Sequence, residues 1–84
     1  MSKISKLLNK FLNDPKDLEW QELIKILKHF GFELQSQGMT GGSRRMFENK
    51  EGLKLYFHEP HPVKTVKSYA IKNTIEILKQ EGIL

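Results

Sequence analysis

The stretch Leu53-Lys54-Leu55-Tyr56-Phe57-His58 is the clearest indication of the fold of this 84-residue chain, because apolar side chains recur there at every second position. A period of two is typical of a β-strand that buries one face. Residues 32–37 and 43–48 show the same period and predict two further strands. The connections between the three strands are short, which favours an antiparallel meander.

Helical periodicity flanks this predicted sheet on both sides. Apolar residues recur at helical spacing over residues 3–13, over 19–30 and from Ser68 to about residue 81. Gly31 and Gly82 follow the second and third of these segments, where a helix commonly ends on a left-handed residue. Ser68 is predicted to be the N-cap of the last helix.

The sequence therefore predicts an α+β fold of the order helix–strand–strand–strand–helix. Because a three-stranded antiparallel sheet must bury one face, we expect both helices on that face and an exposed second face. Trp20 lies on the apolar side of its helix and is predicted to anchor the core. Residues 1–18 are predicted to form an additional N-terminal helix and linker, and residues 19–84 the domain itself.

Composition restricts the kinds of site and of partner that the chain can have. The chain contains no cysteine, which excludes disulfides and thiolate metal sites and fits a cytoplasmic protein. No apolar run approaches the roughly 20 residues that span a bilayer. Fourteen Lys and Arg against ten Asp and Glu give a net charge of +4 and favour a polyanionic partner.

A glycine-rich loop leads into the second predicted strand as Gly41-Gly42-Ser43-Arg44-Arg45. Accessible backbone N–H groups, the Ser43 hydroxyl and two guanidinium groups are suited to holding phosphates. The spacing of a nucleotide-binding P-loop is absent. Lys64 and Lys67, near the start of the last helix, would add to phosphate binding. The alternative is a loop and a helix start with ordinary solvated cations.

A second motif, His58-Glu59-Pro60-His61-Pro62, follows the third strand. The prolines extend the backbone and separate the two imidazoles, so a metal site is not favoured. A histidine beside an RNA backbone can act as a general acid or base, because imidazole exchanges its proton near neutral pH. The alternative is a rigid loop with partly exposed histidines.

Taken together, these motifs resemble the HicA toxin family of bacterial toxin–antitoxin systems over about residues 19–84. The resemblance is carried, in chain order, by residues 23–27, Gly31-Phe32, Gly42-Ser43, Phe47, His58, Lys67 and residues 75–82. It implies a fold similar to the double-stranded RNA-binding domain, cleavage of mRNA independently of the ribosome, and a HicB antitoxin that covers the active face.

One position departs from the family pattern. The family's catalytic histidine directly follows Gly-Ser, and this chain has Arg44 there. An arginine is always charged and cannot act as a general base, although it can stabilise phosphate charge. The resemblance leaves His58, at another frequent family position, as the catalytic candidate, with His61 in reserve.

The sequence thus predicts an RNA-binding toxin that is an mRNA endoribonuclease without a metal or cofactor and is neutralised by a HicB-like antitoxin. The predicted RNA-binding residues are Gly42, Ser43, Arg44, Arg45, Lys64 and Lys67. Two alternatives stay open: a non-catalytic RNA-binding module of the same fold, or a protein-interaction domain that uses the helix at 3–13.

Overall fold

The computed structural model describes residues 3–13, 16–35, 44–60 and 63–84. Its elements are, in chain order, α1 (Lys3–Leu12), α2 (Trp20–His29), β1 (Glu33–Gln35), β2 (Arg44–Glu48), β3 (Lys54–His58) and α3 (Ser68–Gln80). This order confirms the predicted α+β fold with an additional N-terminal helix. Positions 36, 37 and 43, where the sequence extends the first two strands, lie outside the described residues.

The three strands form one antiparallel sheet in the order β1-β2-β3. Residues directly opposite each other share a face of the sheet. Phe47 of β2 lies opposite Leu34 of β1 and Leu55 of β3, and Arg45 lies opposite Phe57. These residues form the covered face, where Phe47, Leu55 and Phe57 are buried.

Trp20 joins the helices to the covered face. Its ring packs edge-on against Phe47, with 5.8 Å between ring centroids, and against Phe57, at 6.1 Å. Phe47 and Phe57 also pack edge-on against each other at 5.6 Å. Such edge-to-face pairs add to the hydrophobic gain of burial. The predicted role of Trp20 as a core anchor is confirmed.

The helix ends follow the predicted glycines but not the predicted N-cap. Gly31 has φ 92°, and Phe32 donates a backbone hydrogen bond of 2.8 Å to the Leu27 carbonyl, which closes α2. The N-cap of α3 is Lys67, and Ser68 is already helical, so the Ser68 prediction was wrong by one residue. The reason is that the Lys67 carbonyl accepts the first helical hydrogen bonds, from Ala70 and Ile71.

Two segments outside the sheet are fixed to the same core. Phe11 of α1 and Leu18 after it are fully buried in the cluster that contains Trp20. The link before α3 is held to the start of α2, because Val66 donates a hydrogen bond of 2.8 Å to the Leu18 carbonyl and Trp20 donates one of 2.9 Å to the Lys64 carbonyl. These bonds fix the link that precedes α3 beside the start of α2.

The longest helix of the described residues, α3, has 13 residues. No helix in these parts of the chain has the length and apolarity that a membrane crossing requires.

Candidate functional site

The open face of the sheet brings together two residues that are fourteen positions apart in the chain. Arg44, the first residue of β2, lies directly opposite His58, the last residue of β3. Both side chains are exposed. In an antiparallel pair, opposed Cβ atoms are about 5 Å apart, so the guanidinium and imidazole groups serve the same patch of surface.

Arg44 and Arg45 differ in their environment, because alternate residues of a strand point to opposite faces. The Arg44 guanidinium lies 5.8 Å from the ring centroid of Tyr56 on the open face, which is cation–π geometry. Arg45 lies on the covered face, where its Nε is 3.0 Å from Glu59 Oε1. Arg45 also donates a hydrogen bond of 2.8 Å from Nη1 to the Arg44 carbonyl. The charge of Arg45 is therefore matched within the protein.

A groove runs between the end of β3 and the start of α3. It has a volume of about 520 Å³, and its lining includes His58, Glu59, Lys67 and Tyr69. Lys67 thus shares a groove with His58. Lys64 is exposed but does not line this groove.

Three other predicted positions cannot be placed in this geometry. Gly42, Ser43 and the reserve candidate His61 lie outside the described residues. The residues that the structure brings together are therefore Arg44, His58 and Lys67.

Charge changes sign along the open face. At the end that carries Arg44 and His58, no two carboxylates of the described residues oppose each other across the strands. At the opposite end Glu33 of β1 lies directly across from Glu48 of β2, with Lys54 beyond it. Phosphates are repelled by two opposed carboxylates. The part of the open face that suits an anionic ligand is the end nearest α3.

The chemistry available at this end is proton transfer and anion stabilisation. Imidazole can take or give a proton at neutral pH, and the neighbouring guanidinium can stabilise negative charge that develops on a phosphate. No group of three or more His, Cys, Asp or Glu side chains able to hold a metal ion occurs among the described residues.

The site also contains two aromatic residues that were not among the predicted site residues. Tyr56 lies on the open face beside Arg44, and Tyr69 lies in the first turn of α3. The helical periodicity could have indicated an exposed position for Tyr69. This residue lies off the buried stripe of α3, which is formed by Ile71, Thr74 and Leu78. An aromatic side chain outside that stripe has no place in the core.

Comparison with known proteins gives one result. A family model described as the HicA toxin of bacterial toxin–antitoxin systems matches residues 20–83. The searches of curated proteins and of solved structures returned no significant match. The matched segment contains Arg44, His58 and Lys67 and runs from the first residue of α2 to beyond the end of α3. The chain therefore belongs to the HicA toxin family of bacterial toxin–antitoxin systems.

Proposed function

We propose that this toxin is an mRNA endoribonuclease whose active site is the Arg44–His58 pair on the open face of the sheet. The observation that carries the proposal is that pair itself: a proton-transferring side chain lies opposite a permanent cation on an exposed surface. RNA supplies its own nucleophile, so the protein need not provide a metal or a nucleophilic side chain.

In the proposed reaction, a ribose 2′-oxygen attacks the adjacent phosphorus and the bond from phosphorus to the 5′-oxygen breaks. His58 accepts the proton of the 2′-hydroxyl, and water protonates the departing 5′-oxygen. Arg44 stabilises the additional negative charge on the phosphate oxygens in the transition state. Lys67 holds a neighbouring phosphate. Gly42, Ser43 and Lys64 are proposed as further phosphate contacts, and Arg45 as a weaker one, because its guanidinium is paired with Glu59.

The decisive experiment compares the purified protein with its His58→Ala variant on an RNA that carries a single cleavage site. We expect the substitution to reduce the cleavage rate by a factor of roughly 10² to 10⁴, the usual contribution of general acid–base catalysis. The folded state should be unaffected, because His58 is exposed. A 2′-deoxy nucleotide at the cleaved position should block the reaction.

His29→Ala is the matched control, because His29 is an exposed histidine at the end of α2 that lines neither side of the β3–α3 groove. It should cleave at the wild-type rate. Intact RNA after incubation with the folded wild-type protein would refute the proposed activity, as would an undiminished rate in His58→Ala.

A non-catalytic RNA-binding module is the second candidate, and Arg44 is the observation that favours it. This residue occupies the position at which the family resemblance implies a catalytic histidine, and it cannot exchange a proton. Salt-sensitive RNA binding without cleavage would support this candidate. Cleavage that appears only in Arg44→His would show that Arg44 silences the site.

We further propose that the partner in the toxin–antitoxin pair is a HicB-like protein that covers the Arg44–His58 face, and that the toxin acts in the cytoplasm, where its mRNA substrate is found. A small HicB-like reading frame beside this gene would support the partner. Its product should form a complex with the toxin and block RNA cleavage, and a product that leaves cleavage unchanged would contradict the assignment.

A further inference from the structure

Two exposed tyrosines lie beside His58. Tyr56, two residues earlier in β3, is 58% exposed, and Tyr69 of α3 is 62% exposed. A single exposed aromatic side chain on a protein surface needs no explanation. Two of them beside one candidate catalytic residue form a local aromatic surface, which is a feature of binding sites.

The space between these tyrosines is already shaped as a groove. A second groove of about 330 Å³ adjoins the one described above, and both are lined by Phe57, His58, Tyr69 and Ala70. His58 and Tyr69 therefore lie where the two grooves meet. Phe57 is almost fully buried and gives this junction an apolar floor.

Cations accompany the aromatic side chains along this path. Lys67 lines the first groove, Lys54 lines the second, and the Arg44 guanidinium lies over Tyr56. Glu59 also lines the first groove, but its carboxylate is paired with Arg45. Lys54 lies directly opposite Glu48, so the positive charge nearest His58 is that of Lys67 and Arg44. A flat aromatic surface together with exposed cations is the combination that binds the bases and the phosphates of a single strand.

The same geometry disfavours a duplex. In A-form RNA the bases are stacked inside the helix, where aromatic side chains cannot reach their faces. A duplex laid across the open face would also extend toward Glu33 and Glu48, which oppose each other at the far end. A single strand can follow the β3–α3 groove, whose lining contains neither of those two carboxylates.

We propose that this site takes single-stranded RNA, with an unpaired base stacked on Tyr69 beside the phosphate that His58 and Arg44 act upon. The inference rests on the proposed function and adds its substrate class. Tyr56, with Arg44 on one face of its ring, provides a second platform for a neighbouring base. Cleavage is then confined to loops and unpaired stretches of an mRNA.

The test measures binding of a fluorescein-labelled 2′-O-methyl RNA of ten nucleotides, whose blocked 2′-oxygens prevent cleavage, and of the blunt duplex of the same sequence. We expect the single strand to bind at least about tenfold more tightly than the duplex. Tyr69→Ala should weaken single-strand binding by roughly tenfold and leave duplex binding unchanged, because one base–aromatic stack is lost.

Tyr69→Phe is the matched variant, since it keeps the ring and removes only the hydroxyl, and it should bind the single strand as the wild type does. Leu12→Ala removes an exposed side chain from α1 and controls for a nonspecific loss of surface. An unchanged urea-unfolding midpoint, followed by the fluorescence of Trp20, would show that Tyr69→Ala is folded, as expected for so exposed a residue.

A stem-loop RNA that can be cleaved separates this inference from the proposed function. Cuts in the loop that decline in Tyr69→Ala support both. Equal binding of single strand and duplex, or an unchanged affinity of Tyr69→Ala, would overturn the stacking inference while His58-dependent cleavage still stood. Failure to bind either RNA at low salt would overturn the proposed function together with the inference.

Discussion

The α1–α2 contact and the β3–α3 groove are built from the same kinds of residue and differ in what those residues touch. In the first region the aromatic ring of Phe11 is fully buried, and Lys10 Nζ lies 3.1 Å from Glu22 Oε1. In the second, Tyr69 is exposed and Lys67 lies on the wall of an open groove. An aromatic residue with a nearby lysine is therefore structural in one place and available to a ligand in the other.

The electrostatics of the first region follow from its hydrogen bonds. The backbone N–H of Glu19 donates a bond of 3.0 Å to the Glu22 carboxylate, and Lys10 donates another. These bonds hold the pKa of Glu22 below its ordinary value, against the opposing effect of partial burial. The hydrogen bond to Glu22 raises the pKa of Lys10 above 10.5. This charge pair is satisfied within the protein and has little left to offer a phosphate.

The largest expected effect is a loss of stability at the contact between α1 and the core. Phe11→Ala leaves a cavity at a fully buried site and should reduce the free energy of unfolding by about 3–5 kcal/mol, most of what a domain of this size has. Urea unfolding followed by the fluorescence of Trp20, the single tryptophan, measures it. Leu12→Ala, next in the chain but exposed, should stay within about 0.5 kcal/mol of the wild type. Equal midpoints for the two variants would show that α1 is not part of the core.

An intermediate effect, on RNA binding, is expected from substituting the two arginines of β2 one at a time. Arg44→Gln should weaken RNA binding roughly tenfold and lower the salt-dependence slope by about one, because an exposed phosphate contact is lost. Arg45→Gln should change binding less, since the Arg45 guanidinium is matched by Glu59. Fluorescence anisotropy at several salt concentrations distinguishes them. A larger loss in Arg45→Gln would show that RNA displaces Glu59 from this arginine.

The smallest effect is expected from removing the charge at Glu22. Because its pKa in the folded state is depressed, the ionised carboxylate stabilises the fold above the ordinary value of 4.5, and the contribution is lost as the pH falls through the lower folded-state pKa. Glu22→Gln should therefore be less stable than the wild type by under about 1 kcal/mol at pH 7, a difference that declines in acid. Urea titrations at pH 7 and at pH 3 measure it. Glu51→Gln, in the β2–β3 turn, controls for the loss of one negative charge. If the stability difference between the wild type and Glu22→Gln grew in acid, the stabilising role of the ionised Glu22 carboxylate would be contradicted.

The helices and strands and their order could be predicted from the local sequence pattern alone. Periods of 2 and 3.6 report which face of each element is apolar, so the three strands, the helices and the core position of Trp20 were predicted from local pattern. The left-handed glycines after α2 and α3 were predicted for the same reason, because the requirement of φ above zero is local. At the start of α3 the local pattern placed the N-cap one residue too late, at Ser68, whereas the structure has it at Lys67.

Which residues share a surface depends on long-range packing and could not be predicted from local pattern. Strand register placed Arg44 opposite His58 and turned Arg45 toward Glu59, and no spacing along the chain specifies that register. The hydrogen bonds from Val66 to Leu18 and from Trp20 to Lys64 fix the link before α3 beside α2, and the first turn of α3 lines one groove with the end of β3. Contacts between segments distant in the sequence depend on how the whole core packs, and they are what made Tyr69 a neighbour of His58.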